Sequence, residues 1–370
     1  MRRLAVVLVL GLAANTAHAY PQFQLSRDQT CLSCHRSPAG GGLLSENGLV
    51  SAEQMSQWGT APETFFGKLP TPSWLALGGD VRAAVGLDNA GLKNQLVAFP
   101  MQAEAYADAA ITHHVSFHVT AGARDPQYGN TASTLFSSRE HWLMWQQDPG
   151  ESSGMFLRVG RFLPVYGLRF VEHVDYTRRF GGTPLYGEAY GVAAEYLQPT
   201  WEVHATAFIH DPIFADAVEQ GDGVAVYSEA RMTPTTSLGF EAMFVRDRDD
   251  ERVFGGVTAK HYLSTSDILL QAEVQGIHQR VDAGGTENQF VAYALASRFV
   301  GAAFLIDYGL GYFNENVAVP HLDRESIDLN IHWFTTSHLE LILTNRIQLL
   351  DLGSGGASSG YSLLQVHYRL

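Results

Sequence analysis

From Trp74 to the C-terminus the chain alternates apolar and polar residues with a period of two. Val115, Phe117, Val119 and Ala121 interleave with His114, Ser116, His118 and Thr120. Trp201, Val203, Ala205 and Ile209 interleave with Glu202, His204 and Thr206, and Leu364, Val366, Tyr368 and Leu370 with Gln365, His367 and Arg369. One apolar and one polar face, kept over ten or more residues, is the pattern of strands that cross a bilayer with lipid outside and a lumen inside. Strands of a soluble sandwich run about half as long and turn polar side chains outward.

Sixteen such segments are counted, near 73–87, 94–110, 112–124, 137–147, 154–163, 186–198, 200–210, 223–233, 235–246, 253–263, 266–280, 287–299, 302–314, 323–335, 337–350 and 359–370. Of these, 223–233 and 253–263 alternate least cleanly. Tight connections such as Gln198-Pro199-Thr200, Thr233-Pro234-Thr235 and Ser264-Thr265-Ser266 take turns with longer ones at 125–136, 164–185, 211–222 and 314–322. Short turns on one side and long loops on the other, with an even strand number, predict an all-β, antiparallel transmembrane β-barrel of about 16 strands over 73–370. The tight turns and both termini belong to the periplasmic side of a bacterial outer membrane.

Composition fits that reading. The chain is 46% hydrophobic and only 17% charged, with 36 glycines and 11% aromatics. No run of 18 apolar residues accompanies that hydrophobicity. The net charge of −14 excludes a nucleic-acid partner and suits acidic loops or an acidic lumen, with Asp80, Glu104, Asp108, Glu202 and Glu241 as lumen candidates.

The first seventy residues break the pattern. Met1-Arg2-Arg3, an apolar stretch from Leu4 to Ala14 and Ala17-His18-Ala19 read as a signal peptide over 1–19, with the mature chain beginning at Tyr20. Residues 20–72 then carry the only two cysteines, in Cys31-Leu32-Ser33-Cys34-His35. A C-x-x-C-H run is the attachment signature of a c-type haem: Cys31 and Cys34 form thioether links and His35 is the proximal iron ligand. A redox cysteine pair, a disulfide between neighbours and half of a zinc site are the competing readings. The first belongs in a βαβ unit, whereas the flanks here are Gly/Ser/Pro loop. The last needs four ligands, and the next histidine is His113. Export to the periplasm agrees with attachment of one covalently bound c-type haem.

A short helix is expected near Ser51 to Trp58, after the Gly-rich run Pro38-Ala39-Gly40-Gly41-Gly42. About fifty residues bury little core of their own, so this segment is expected to lean on the barrel as a plug or cap. A low-spin electron-transfer haem takes a second axial ligand, usually Met or His. Met55 is the one candidate of either kind between His35 and the barrel, with lumen-facing His118, His204, His332 and His367 as alternatives and an open sixth site as the remaining case. The longest loop, 164–185, is dense in basic and aromatic residues, including Tyr166, Arg169, His173, Tyr176, Arg178 and Arg179. It is read either as folding into the lumen, as a constriction or as a contact for haem propionates, or as a solvated surface loop.

Two stretches carry a resemblance. Cys31 to Leu44, just after a signal peptide and before a barrel, resembles the fused monohaem cytochrome c–porins of the bacterial outer membrane, best known from iron-oxidising members. Gly160-Arg161-Phe162-Leu163-Pro164-Val165-Tyr166-Gly167 is similar to a sequence seen in large outer-membrane porins. The resemblance implies a conduit that passes single electrons through the haem, and Cys31, Cys34 and His35 carry over directly. A single haem hardly bridges the membrane alone. Outer-membrane lipid, a periplasmic c-type cytochrome and an extracellular redox partner or metal ion, ferrous iron among them, are therefore the expected partners. An extracellular Fe(II) oxidase would be the enzymatic form. The rival readings are a passive solute porin with a haem-bearing plug and a haem enzyme with an open iron site.

Overall fold

A computed structural model describes residues 25, 30–89, 94–124, 136–172, 174–185, 187–210, 221–247, 250–281, 284–350 and 358–370. The expected signal peptide and cleavage site, and His173, lie outside the described residues. The strands are β1 (Leu75–Asp88), β2 (Gln95–Ala110), β3 (Val115–Arg124), β4 (Phe136–Ser137), β5 (His141–Gln146), β6 (Gly154–Phe162), β7 (Ala189–Gln198) and β8 (Trp201–Ile209). They continue with β9 (Asp222–Thr233), β10 (Thr236–Arg246), β11 (Asp250–Leu263), β12 (Ile268–Val281), β13 (Gly285–Val300), β14 (Phe304–Asn314), β15 (Asp323–Thr336), β16 (Leu339–Leu350) and β17 (Ser358–Arg369).

Each strand pairs antiparallel with its sequence neighbour, and β1 closes the ring by pairing with both β2 and β17. Thus Val81 stands between Ala103 and Tyr368. The two-residue β4 and the six-residue β5 are successive pieces of one stave, both against β3. The barrel is therefore a closed one of sixteen staves, at the positions the alternation predicts. Closure leaves no sheet edge with unpaired amides, which a strand in hydrocarbon cannot tolerate.

The period of two becomes two environments. On β12, Leu270 and Val274 are exposed outward while Gln271, Glu273 and Gln275 are buried inward. On β8, Trp201 and Ile209 face out and Glu202, His204 and Thr206 face in. Trp145, Trp201, Trp333 and Phe304 point outward near the tight turns, as the aromatic girdle of a lipid-embedded barrel does. The weakly alternating stretches are nevertheless strands. In β11, Gly255 and Gly256 blur the pattern, and Gly256 has a steric reason: a Cβ there would lie 2.2 Å from Glu241 Oε1.

One helix departs from expectation. The N-terminal segment holds a single turn, α1 (Cys31–Cys34), and α2 (Glu46–Met55), so the helix starts five residues before Ser51 and ends before Trp58. Ser45 is the true N-cap, its Oγ accepting from Gly48 N–H at 3.2 Å, while Ser51 lies inside and donates to Asn47 O at 2.8 Å. Both serines fit a helix start by residue type, and only the cap geometry separates them.

The long connection between β6 and β7 folds into the lumen. Tyr166, Leu168, Phe170 and Tyr176 are buried against inward side chains of the wall, among them Phe208, Phe254, Val291 and Phe313. A turn of helix, α3 (Tyr176–Arg179), sits in the middle of it. Of the two readings of this loop, the lumen constriction is the one observed.

Candidate functional site at the barrel mouth

The C-x-x-C-H segment lies inside the turn end of the barrel. Thr30 Oγ1 donates to Ser152 O at 2.7 Å and Ser33 Oγ reaches Ser152 Oγ at 3.1 Å, which fixes α1 to the turn between β5 and β6. Arg158, fully buried, donates to Ser37 Oγ at 3.3 Å and pairs with Glu195 at 2.6 Å. Arg36 reaches Asp108 at 3.5 Å, and Arg169 of the inward loop reaches Pro38 O at 3.5 Å. The segment leans on the wall from several sides.

Its internal packing is tight. Ser45 Oγ and Asn47 Nδ2 both donate to Ser33 O, at 2.8 and 3.1 Å, so α2 is strung directly under α1. Gly48 makes the crossing possible, since a Cβ there would sit 2.1 Å from Cys34 O. Gly40, Gly41 and Gly42 all take positive φ (77°, 73° and 57°) and turn the chain back so that Leu44 bridges to His35. The fold-back also positions the imidazole. His35 Nδ1 lies 3.0 Å from Gly41 O, and because a carbonyl only accepts, Nδ1 carries the proton and Nε2 the lone pair. Desolvation in the barrel mouth pushes the His35 pKa down to about 4, with the Arg369 charge acting the same way, so the ring is neutral. Burial likewise raises the Cys31 thiol.

These groups share a cavity of ≈ 680 Å³ between the segment, the wall and the inward loop. Cys31, Cys34, His35 and Met55 all line it, as do the apolar Leu43, Leu44, Ala52 and Phe334. The volume falls in the range of small-molecule and cofactor sites, about 300–1,000 Å³. Two thiols, an imidazole presenting Nε2 and a buried methionine are the donor set a c-type haem requires, so the residues present fit the group. Among the described residues, no group of three or more His, Cys, Asp or Glu side chains is placed to hold a bare metal ion.

The alternative histidines separate clearly. His204 and His332 are not on the cavity wall: His204 lies between Glu195 and Glu202 at 3.4 and 3.5 Å, and His332 between Glu340 and Asp307 at 2.8 and 3.3 Å. His367 lines the cavity, yet its two ring nitrogens meet Asp80 at 2.6 Å and Glu340 at 3.1 Å. His118 lines it too, stacked on Trp142 at 4.7 Å with Nδ1 3.7 Å from Asp108.

Of the five acidic lumen candidates, three face an arginine and Asp80 faces a histidine, while Glu241 is buried with no cationic side chain in ion-pair distance among the described residues. Asp80 pairs with His367, Asp108 with Arg36, Glu104 with Arg139 at 3.7 Å and Glu202 with Arg169 at 3.2 Å. Arg82, Arg139, Arg178 and Arg369 also line the cavity. Arg178 donates to Phe170 O at 2.8 Å and Thr183 O at 3.4 Å. Sequence reading singled out Arg178 in its loop but missed Arg82, Arg139 and Arg369, which stand on separate staves, or beside them, and meet only when the barrel closes.

No protein-family model matches the chain, and no curated protein sequence does. Solved structures do match. A loop-deleted OmpT, an outer-membrane protein of Vibrio cholerae, superposes with a TM-score of 0.61 at 12% identity, covering 80% of this chain and 99% of that one. An anion-selective porin from Comamonas acidovorans gives 0.58 at 12% identity, with 80% and 99% covered. The outer-membrane channel DcaP of Acinetobacter baumannii gives 0.56 at 11%, with 82% and 99% covered. The fold is that of porin-type outer-membrane barrels.

Proposed function

We propose that this chain is an outer-membrane porin-type barrel whose periplasmic mouth is plugged by a segment carrying one covalent c-type haem. The observation that carries the reading is that Cys31, Cys34, His35 and Met55, spread over twenty-five residues, line one cavity inside the barrel. In this reading Cys31 and Cys34 would hold the group covalently, and His35 Nε2 together with Met55, or with His118 in its place, would ligate its iron. Gly41 O holds the imidazole in the ligating tautomer. Leu43, Leu44, Ala52 and Phe334 give the cavity an apolar side, and the arginines around it are suited to propionates. When bound, a c-type haem supplies one-electron chemistry at its iron.

Two tasks are compatible with such a plug. Solute passage is supported by the likeness to porins and channels, one of them anion-selective. Single-electron transfer, between an external donor such as ferrous iron and a periplasmic c-type cytochrome, is supported by the buried donor set and by the resemblance of the Cys31–Leu44 stretch to cytochrome–porins. Met55 on the cavity wall speaks against a haem enzyme with an open iron site.

The test is a reduced-minus-oxidised visible spectrum on detergent-extracted outer membranes, paired with a haem-stained denaturing gel. A stained band at the mature mass with c-type absorption is expected, and Cys31→Ser with Cys34→Ser should abolish the stain while the barrel keeps its heat-modifiable migration. An unstained wild-type band overturns the haem reading and leaves a porin-type barrel with a thiol pair at its mouth.

A further inference from the structure

Between α2 and β1 the chain leaves the lumen over the rim at the β15–β16 turn and arrives outside the wall. Gln57 N–H donates to Phe334 O at 2.8 Å and Trp58 N–H to Thr335 O at 3.1 Å, extending the end of β15. Ser337 Oγ donates to Thr60 O at 2.9 Å, and His338 Nε2 lies 2.8 Å from Ala61 O. Trp58 then meets Trp333 edge-on, with ring centroids 5.7 Å apart, and Trp333 stacks on Phe304 at 5.8 Å. Trp333 and Phe304 are cross-strand partners on the outward face, next to inward-facing His332 and Leu305. Trp58, 61% exposed, is therefore on the lipid side of the barrel wall.

The following residues expose more apolar surface at the same rim. Phe65 and Phe66 both adopt left-handed backbone, φ 52° and 59°, a conformation that bulky side chains avoid. They stay 46% and 39% exposed, and Leu69 and Trp74 are exposed as well, with Lys68 between Phe66 and Leu69. Trp58 joins the outward aromatic girdle through Trp333, and Phe66 lies against His338 at the same β15–β16 turn, with ring centroids 4.2 Å apart.

We propose that residues 57–74 form a strap seated in the interfacial zone of the periplasmic leaflet, its occupant being phospholipid, and that this strap holds the C-x-x-C-H segment in the barrel mouth. Aromatic rings with one apolar and one polar side settle at headgroup level. Seating the two phenylalanines in lipid gives their strained backbone a favourable outlet. Met55 ends α2 only two residues before the strap begins, so lipid contact at the rim is transmitted along a short covalent path to the cavity. The inference rests on the outer-membrane reading above.

The experiment reconstitutes the full chain in vesicles of phosphatidylethanolamine and phosphatidylglycerol brominated near the glycerol backbone, and compares tryptophan quenching with that of Trp58→Phe. Loss of part of the quenched emission in the variant is expected. A double variant, Phe65→Ser with Phe66→Ser, should be cut by added protease within 57–74 several-fold faster than wild type. Equal quenched emission with and without Trp58 overturns the strap and leaves this face to a protein partner, while emission still quenched at Trp145, Trp201 and Trp333 keeps the barrel reading intact. No quenching at any tryptophan sinks the bilayer reading itself, and the strap with it.

Discussion

Met55 is 4% exposed at the last position of α2, on the same cavity wall as Cys31, Cys34 and His35. A methionine in that place is either a packing residue or an iron ligand, and the two roles respond differently to leucine. Met55→Leu keeps volume and apolarity and should cost less than about 1.5 kcal/mol of stability. As a ligand change it should lower the reduction potential and let carbon monoxide bind the ferrous form, with haem staining unchanged. An unaltered potential and spectrum would remove Met55 from the site and turn attention to His118. At this scale the sequence is informative where chemistry is contiguous. Cys31, Cys34 and His35 draw notice because they form a run of five residues, and Met55 because few candidates compete with it; what the structure adds is that all four line one cavity. Arg82, Arg139 and Arg369 are not legible, since nothing local to any of them records which stave will face it across the lumen.

At the scale of elements, the inward loop between β6 and β7 is held by its apolar cluster and by buried wall side chains, Glu273 accepting from Leu168 N–H at 2.7 Å and Arg346 gripping its middle. Arg346 on β16 pairs with Asp328 at 2.8 Å and with Asp175 beside α3 at 3.3 Å, and it also donates to Val174 O. Asp175 has no other cation within ion-pair distance among the described residues. Removing one partner of such a pair strands the others in a dry interior. Arg346→Met should therefore cost about 3–5 kcal/mol. Thermal denaturation should show a lowered midpoint, and protease should reach residues 163–188; an unchanged midpoint would mean that the apolar cluster around Tyr166 and Tyr176 holds the loop by itself. The strands were readable because a period of two survives any tertiary arrangement with one wet and one greasy face. The start of α2 was not, because Ser45 and Ser51 are equivalent until the amide of Gly48 is seen to point at one of them. The direction of the long loop was equally open: its arginines and aromatics suit water and lumen alike, and the decision lies with Phe208, Phe254, Val291 and Phe313 on distant strands.

At the scale of the molecule, what matters is how much lumen is left. A sixteen-stave barrel encloses a channel wide enough for water and small solutes when nothing fills it. Here two bodies enter from opposite ends. The loop packs an apolar cluster against the staves from β8 to β14, and the N-terminal segment seats against β1, β2, β5, β6 and β15. The space between them is the ≈ 680 Å³ cavity that holds the thiols and the imidazole. Filling by packed side chains is not a sieve, because close-packed interiors leave few gaps that admit even water. The expected single-channel conductance in planar bilayers is therefore far below that of an unobstructed porin of the same strand number. Deleting residues 30–56 should restore a large, steady conductance, since the barrel's own ring of β1 to β17 pairing does not depend on them. The comparison also separates the two tasks of the plug. Low wild-type conductance that rises on deletion fits an electron-passing role, in which the barrel supports and insulates the site. High wild-type conductance, unchanged by the deletion, would show that solutes pass beside the segment and would make solute passage the principal task.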